Sequence, residues 1–195
     1  INGQIVASAE TTGPTKNKIL AKFSDSSKGV YYVYIIMTGA ETLLLMLGGL
    51  PIYDALIHTF GTVGTGGLSI YNASIGHYNN VYVEIVVAVF MFLAAINFNL
   101  FYMVKKRGVL QIFKDEETKF YTTVTISAGL LIAVYNFISD SFSQFGEKLL
   151  NSFFQVISIL TTTGYATDDY DVWPTFSKMV LFTLKVLMPE NMMSL

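Results

Sequence analysis

Gly61-Thr-Val-Gly-Thr-Gly-Gly67 and Thr161-Thr-Thr-Gly-Tyr165 are the stretches on which the reading of this chain turns. Superposing Gly67 on Gly164 sets them 97 residues apart, and their flanks then align as well. Each follows a short amphipathic segment, Ile52–Phe60 or Glu147–Ile159, and each precedes a longer apolar one. The order apolar helix, short helix, Thr/Gly loop, apolar helix therefore occurs twice. Glycine-rich backbone at membrane depth costs several kcal/mol per unsatisfied polar group unless it lines water or binds something. A costly loop that is repeated points to an ion pathway.

The composition agrees with a membrane setting. Hydrophobic residues make up 52% and charged residues 13% of the 195, where globular chains average about 25% charged. A net charge of −2 argues against nucleic acid as a partner, and the absence of cysteine excludes disulfides and thiolate metal sites. The two histidines, His58 and His77, are too isolated for a histidine-rich metal site. No basic n-region with a cleavable apolar core follows Ile1, so no signal peptide is expected, and the missing initiator predicts a fragment or processed product.

Three apolar segments, Val30–Leu50, Val81–Val104 and Phe120–Ile138, run 21, 24 and 19 residues, close to the roughly 17–25 that cross hydrocarbon as a helix. A fourth starts near Pro174, reaches Met188 with Lys185 inside it, and breaks into Pro189-Glu-Asn191. The stretch Val86–Leu93 has no polar face, which argues against a buried soluble helix. The two short amphipathic segments fit re-entrant half-helices, with a helix lying on the outer membrane surface as the alternative. Pro51 suits the first turn of the first one.

Nine of the twelve Lys and Arg residues fall before the first span (Lys16, Lys18, Lys22, Lys28) or between the second and third (Lys105, Lys106, Arg107, Lys114, Lys119). The positive-inside rule makes those regions cytoplasmic, so the Thr/Gly loops enter from outside. The resulting expectation is an all-α integral membrane fold of parallel helix–re-entrant pore loop–helix repeats. Residues 1–28 form a cytoplasmic linker, 29–104 one repeat, 105–119 a second linker, and 120–195 a second, truncated repeat. Two copies cannot close a narrow pore, whereas four arranged pseudo-fourfold would, which predicts missing repeats or a second chain.

A potassium ion entering such a site must keep oxygen ligands at close range, and rings of backbone carbonyls supply them. Glycines permit positive φ, so carbonyls can face the axis. Threonine adds a hydroxyl oxygen at the inner end. The C-terminus of each short helix adds partial negative charge. The filter candidates are Thr65, Gly66 and Gly67 in the first loop and Thr162, Thr163, Gly164 and Tyr165 in the second, with no catalytic residue. A phosphate loop is rejected because Gly67 occupies the lysine position of G-x-x-x-x-G-K-[ST]. The G-x-G-x-x-G pattern fails because Ser69 stands at its last glycine.

Further stretches then carry a family resemblance. These are Ala55-Leu-Ile-His-Thr-Phe60, Gly64-Thr-Gly-Gly-Leu-Ser69, Ala73-Ser-Ile-Gly76, Gln155-Val-Ile-Ser158, Thr161-Thr-Thr-Gly-Tyr165 and Asp169-Tyr-Asp-Val-Trp-Pro174. With Ala9-Glu10 and Gly13-Pro14-Thr15-Lys16, the chain from about residue 9 to 182 resembles the Trk/Ktr/HKT potassium transporters, most closely bacterial TrkH-type subunits. The resemblance implies four helix–loop–helix repeats around one pore, of which this chain looks like the second and third. It implies potassium uptake across the bacterial cell membrane by a multi-pass protein, with one principal filter glycine per repeat, here Gly67 and Gly164. It also implies no cofactor, potassium as the transported ion, a homodimer, and a cytosolic nucleotide-binding regulatory subunit of the TrkA/KtrA type. The 105–119 linker is either the contact surface for that subunit or a solvated loop that fixes topology.

The first and fourth filters and the family's Gly-rich intramembrane gate are not in this sequence, so the chain by itself is expected to be half a pore. Sodium-coupled, Ktr-like transport and a non-conducting membrane assembly fragment stay open as alternatives. Glu41, midway along the first span, is a possible intramembrane charge for either the ion pathway or structural pairing. Asn97 and Asn99 are expected to bond between helices. Asp168, Asp169 and Asp171 would concentrate cations at the mouth or form a solvated acidic loop. Tyr165, Tyr170 and Trp173 suit interfacial anchoring, and His58 reads as a packed, hydrogen-bonded residue.

Overall fold

A computed structural model describes residues 16–98, 100–101, 115–139 and 145–187, with side chains from residue 29 onward. Among these residues six α-helices follow in order: α1 (Lys16–Leu47), α2 (Ile52–Val63), α3 (Val81–Ala94), α4 (Glu116–Ser139), α5 (Phe145–Leu160) and α6 (Thr175–Leu187). Short 3₁₀ turns at Ser74–Tyr78 and Tyr170–Val172 precede α3 and α6. Two stretches, Gly29–Leu47 in α1 and Glu116–Ser139, are long and apolar enough to cross a membrane. Both expose much of their apolar surface, for instance Ile35, Leu43 and Leu47 on α1 and Leu130, Leu131 and Val134 on α4. The 105–114 part of the basic linker and Asn99 lie outside the described residues.

Local chemistry sets the helix ends. The Pro51 carbonyl accepts from Ala55 N–H at 2.9 Å, so proline stands at the N-cap of α2, where its missing donor is not needed. Asn80 caps α3 by accepting from Tyr82 N–H at 3.0 Å, and its amide donates to the Gly48 carbonyl at the end of α1 at 3.1 Å. Asp115 Oδ2 accepts from both the backbone N–H and the hydroxyl of Thr118 at 2.9 Å, opening α4. The second apolar segment does not run as one helix to Val104. It stops at Ala94, where the Ile96 N–H turns to the Leu93 carbonyl at 3.1 Å and tightens the last turn ahead of Asn97.

Two apolar cores form, and α5 serves both. Phe154 and Ile157 join Met37 and Leu45 of α1 and Val83, Val87 and Met91 of α3. Val156 and Leu160 face Tyr121, Ala128 and Ile132 of α4, with Leu181 and Leu184 of α6. Helix α5 is thus apolar on two faces, as a helix at the joint of two bundles must be. Close approach of α4 to α5 depends on Gly129, where an added Cβ would lie 2.8 Å from the Phe153 ring. A buried hydrogen bond of 2.6 Å from the Ser177 hydroxyl to Asn136 Oδ1 ties α6 to α4.

Candidate functional site: two paired Thr/Gly loops

Helices α2 and α5 each run directly into a Thr/Gly stretch, so the partial negative charge of each C-terminus falls on a loop. The helices continue further than composition alone indicates: Gly61, Thr62 and Val63 belong to α2, and Leu160 to α5. Beyond those ends three backbone hydrogen bonds recur at the same 97-residue spacing, while a fourth, Gly66 N–H to Gly61 O at 2.8 Å, belongs to the first loop. Gly64 N–H bonds to Phe60 O at 3.0 Å, and Thr161 N–H to Ile157 O at 2.9 Å. Thr65 N–H bonds to Thr62 O at 3.0 Å, and Thr162 N–H to Ile159 O at 3.1 Å. Gly67 N–H reaches Gly61 O at 3.1 Å, and Gly164 N–H reaches Ser158 O at 3.2 Å.

The torsions repeat too. Thr65 and Thr162 have φ of +50° and +56°, and Gly67 and Gly164 have +57° and +85°. A threonine in the left-handed region is uncommon because its branched Cβ crowds the backbone. Two threonines held there at matching positions mark a strained loop that the surrounding packing enforces.

The loops lie against each other. An added Cβ on Gly67 would fall inside contact distance of the Thr163 carbonyl oxygen and 2.9 Å from its carbon. The Gly76 N–H donates to Ala166 O at 3.1 Å, and Ala166 N–H to the Ser74 hydroxyl at 3.2 Å, so the first 3₁₀ turn is bonded to the second loop. Gly76 is glycine for a local reason: its Cβ would stand 2.6 Å from the Thr167 carbonyl oxygen.

Hydroxyls near the loops are mostly taken up locally. Thr62 donates to His58 O at 2.8 Å, and Thr161 and Thr163 share a 2.7 Å hydrogen bond. Thr162, Gly164 and Gly66 are exposed, Thr65 and Gly67 are half-buried, and Thr163 is buried. Gln155, Ser158, Thr162 and Gly164, with Lys178 and Lys185 of α6, line a cleft of about 710 Å³ beside the second loop. Among the described residues no group of three or more His, Cys, Asp or Glu could hold a metal ion.

Tyr165 is not an interfacial anchor. It is fully buried, with its hydroxyl 3.0 Å from both the His58 and the Leu68 carbonyl oxygens. Trp173 is buried as well and donates Nε1–H to Asp168 Oδ2 at 3.1 Å, while Tyr170 is exposed. Asp168 is therefore held in a local contact, and Asp169 accepts from Asp171 N–H at 3.0 Å. His58 is packed as expected, with Nε2 3.1 Å from the Tyr78 hydroxyl.

Glu41 is wholly enclosed, and neither carboxylate oxygen meets a hydrogen-bond partner among the described residues. The adjacent Thr42 hydroxyl ties α1 to α2 through Thr59 at 3.2 Å.

Sequence reasoning passed over Asp54. This nearly buried carboxylate in the first turn of α2 accepts from the Tyr78 hydroxyl at 2.9 Å and from Tyr71 at 3.3 Å. Burial and that carboxylate raise the Tyr78 phenol above its usual pKa. The run Asp54–Tyr78–His58 links the start of α2 to its interior. The available signal was an acid in a helix first turn, which the helix dipole favours.

Residues 26–187 match the family model described as TrkH, a cation transport protein. The chain is 28% identical over 183 residues to the Trk system potassium uptake protein TrkH of Salmonella typhimurium, covering 93% of this chain and 38% of that protein. It is 32% identical over 183 residues to the Trk system potassium uptake protein TrkG of Escherichia coli, with the same coverage. The chain thus spans less than two fifths of the length of these relatives. Its fold superposes on the crystal structure of the potassium transporter TrkH from Vibrio parahaemolyticus with a TM-score of 0.78 at 24% identity, over 89% of this chain and 36% of that one. A match over most of its length and a helical fold shared with a solved member make this chain a member of the TrkH family of cation transport proteins.

Proposed function

We propose that the full-length protein bearing this chain takes up potassium across the cell membrane, and that this chain supplies two filter loops of its pore. The repetition of three backbone bonds and of the left-handed torsions in two abutting loops carries the reading. Backbone carbonyls of Thr65, Gly66 and Gly67 and of Thr162, Thr163, Gly164 and Tyr165 are the ion ligands, with Gly67 and Gly164 the principal filter glycines. Potassium binds as cargo, its lost hydration replaced by these oxygens. Helices α2 and α5 are re-entrant, and their C-terminal dipoles favour a cation at the loops. The two units are repeats related about a pseudo-fourfold axis along the membrane normal, and the remaining quadrants come from outside this chain. That the relatives are potassium uptake proteins supports the choice of ion.

The assembled protein is a multi-pass homodimer of the bacterial cell membrane, and its 105–119 linker meets a cytosolic nucleotide-binding subunit of the TrkA/KtrA type. The test is flux. Full-length protein in potassium-loaded proteoliposomes is expected to accumulate radioactive rubidium, with potassium competing far better than sodium. Rubidium counts equal to those of empty vesicles would remove the transport reading.

A further inference from the structure

One carbonyl in each loop is held in two different ways. The residue after the filter glycine is Leu68 in the first loop and Tyr165 in the second, again 97 positions apart. In the second loop its carbonyl accepts a 2.6 Å hydrogen bond from the Ser158 hydroxyl on the preceding helix. The position matching Ser158 in the first unit is Gly61, which has no side chain to donate. There the Leu68 carbonyl lies 3.0 Å from the Tyr165 hydroxyl, which enters from the other loop and also lies 3.0 Å from His58 O. The space that a serine side chain would take at Gly61 is filled by that hydroxyl, since an added Cβ there would collide with Tyr165 Oη.

We infer that Tyr165 is a positioning residue of the neighbouring loop, its hydroxyl replacing the helix-borne donor that the first unit lacks and holding the two loops as one ligand set. Holding the carbonyl of residue 68 fixes the 68–69 peptide, and with it the exit of the chain from Gly67, a glycine at positive φ that has little torsional restraint of its own. On the snug-fit account of ion selectivity, a filter discriminates by how firmly its oxygens keep their spacing. Loss of the tie therefore relaxes the first loop, and sodium enters more readily. The ring of Tyr165 belongs to the apolar core while its hydroxyl serves the loop, so the two roles are separable by substitution. The inference rests on reading the loops as a filter.

The test uses full-length protein in proteoliposomes and reads the ratio of potassium to sodium flux per transporter molecule. Tyr165→Phe keeps the ring and removes the donor, and the ratio is expected to fall by ~3–10-fold, the equilibrium equivalent of one hydrogen bond. Adding Gly61→Ser to Tyr165→Phe returns a donor from the helix, in the arrangement Ser158 already uses, and is expected to bring the ratio back towards that of the parent. Gly61→Ala with Tyr165→Phe fills the same space without a donor and should not restore it. Gly61→Ser alone collides with Tyr165 and should lower flux. A Tyr165→Phe ratio equal to the parent's overturns the inference, as does a Gly61→Ser/Tyr165→Phe ratio no better than that of Tyr165→Phe. If Gly67→Ala also leaves flux and ratio unchanged, the filter reading itself has failed. If Gly67→Ala removes flux while Tyr165→Phe changes nothing, only the positioning role has failed.

Discussion

Rubidium uptake by the full-length protein is expected to fall to background when Gly67 is replaced by alanine. Two costs combine at this position. Its φ of +57° lies in the left-handed region, which costs a residue with a Cβ roughly 1–2 kcal/mol. The new Cβ would also fall within contact distance of the Thr163 carbonyl oxygen, 2.9 Å from Thr163 C and 3.5 Å from Gly164 C. All three are backbone atoms, so no rotamer change relieves the overlap and the two loops must separate.

Gly164 provides the comparison. Its φ is +85°, yet an added Cβ meets nothing within 4 Å in this chain. Gly164→Ala then carries the torsional cost of roughly 1–2 kcal/mol and should keep part of the uptake. Gly164→Asp should abolish uptake, because on the proposed filter reading it adds a charge at the ion's path to the same strain. Equal uptake by Gly67→Ala and Gly164→Ala, measured per molecule in a strain without its own potassium uptake, would sink the abutting-loop arrangement.

A large loss of stability is expected from Phe154→Ala. The ring is fully enclosed and lies in the core that α5 shares with α1 and α3. Truncating a buried phenylalanine costs about 3–5 kcal/mol, the spread reflecting how far the site can collapse. Helix α5 is also packed from its other side by α4 and α6 through Val156 and Leu160, which restricts inward collapse. The expected value is therefore near the upper end. Equilibrium unfolding of the purified protein in detergent, followed by helical circular dichroism, measures the change. A midpoint within error of the parent would show that Phe154 does not anchor α5 in the core it shares with α1 and α3.

Element type was legible wherever the pattern was long and one-sided. The spans over residues 30–50 and 120–138, the two short helices before the loops, and a helix beginning just after Pro174 all emerge from hydropathy and proline position. The 97-residue spacing could be found by aligning glycines, and the backbone bonds at Gly64, Thr65 and Gly67 recur at that spacing. Helix ends were less legible. Gly61 reads as a stop because glycine in a helix costs about 1 kcal/mol relative to alanine. It stays helical here, where its missing side chain makes room for the Tyr165 hydroxyl. The break after Ala94 was hidden because Val81–Val104 is almost uniformly apolar.

Side-chain roles depended on contacts from distant segments. Tyr165 suits a membrane interface by amphipathic character, yet its hydroxyl serves carbonyls 97 and 107 residues earlier in the chain. Asp54 reads as an ordinary first-turn acid until Tyr71 and Tyr78 fold back over it. Glu41 stands out in a hydropathy profile, but only packing decides that both its oxygens are sealed from solvent. By itself the sequence determined the membrane-type helices, the paired Thr/Gly loops and their spacing, because periodicity and glycine placement are local properties of the chain. Only the tertiary structure decided that the loops touch, that Thr163 stands where a Gly67 Cβ would go, and that one tyrosine bridges them. Those contacts join residues about a hundred positions apart, and no local pattern encodes which distant group fills a given space.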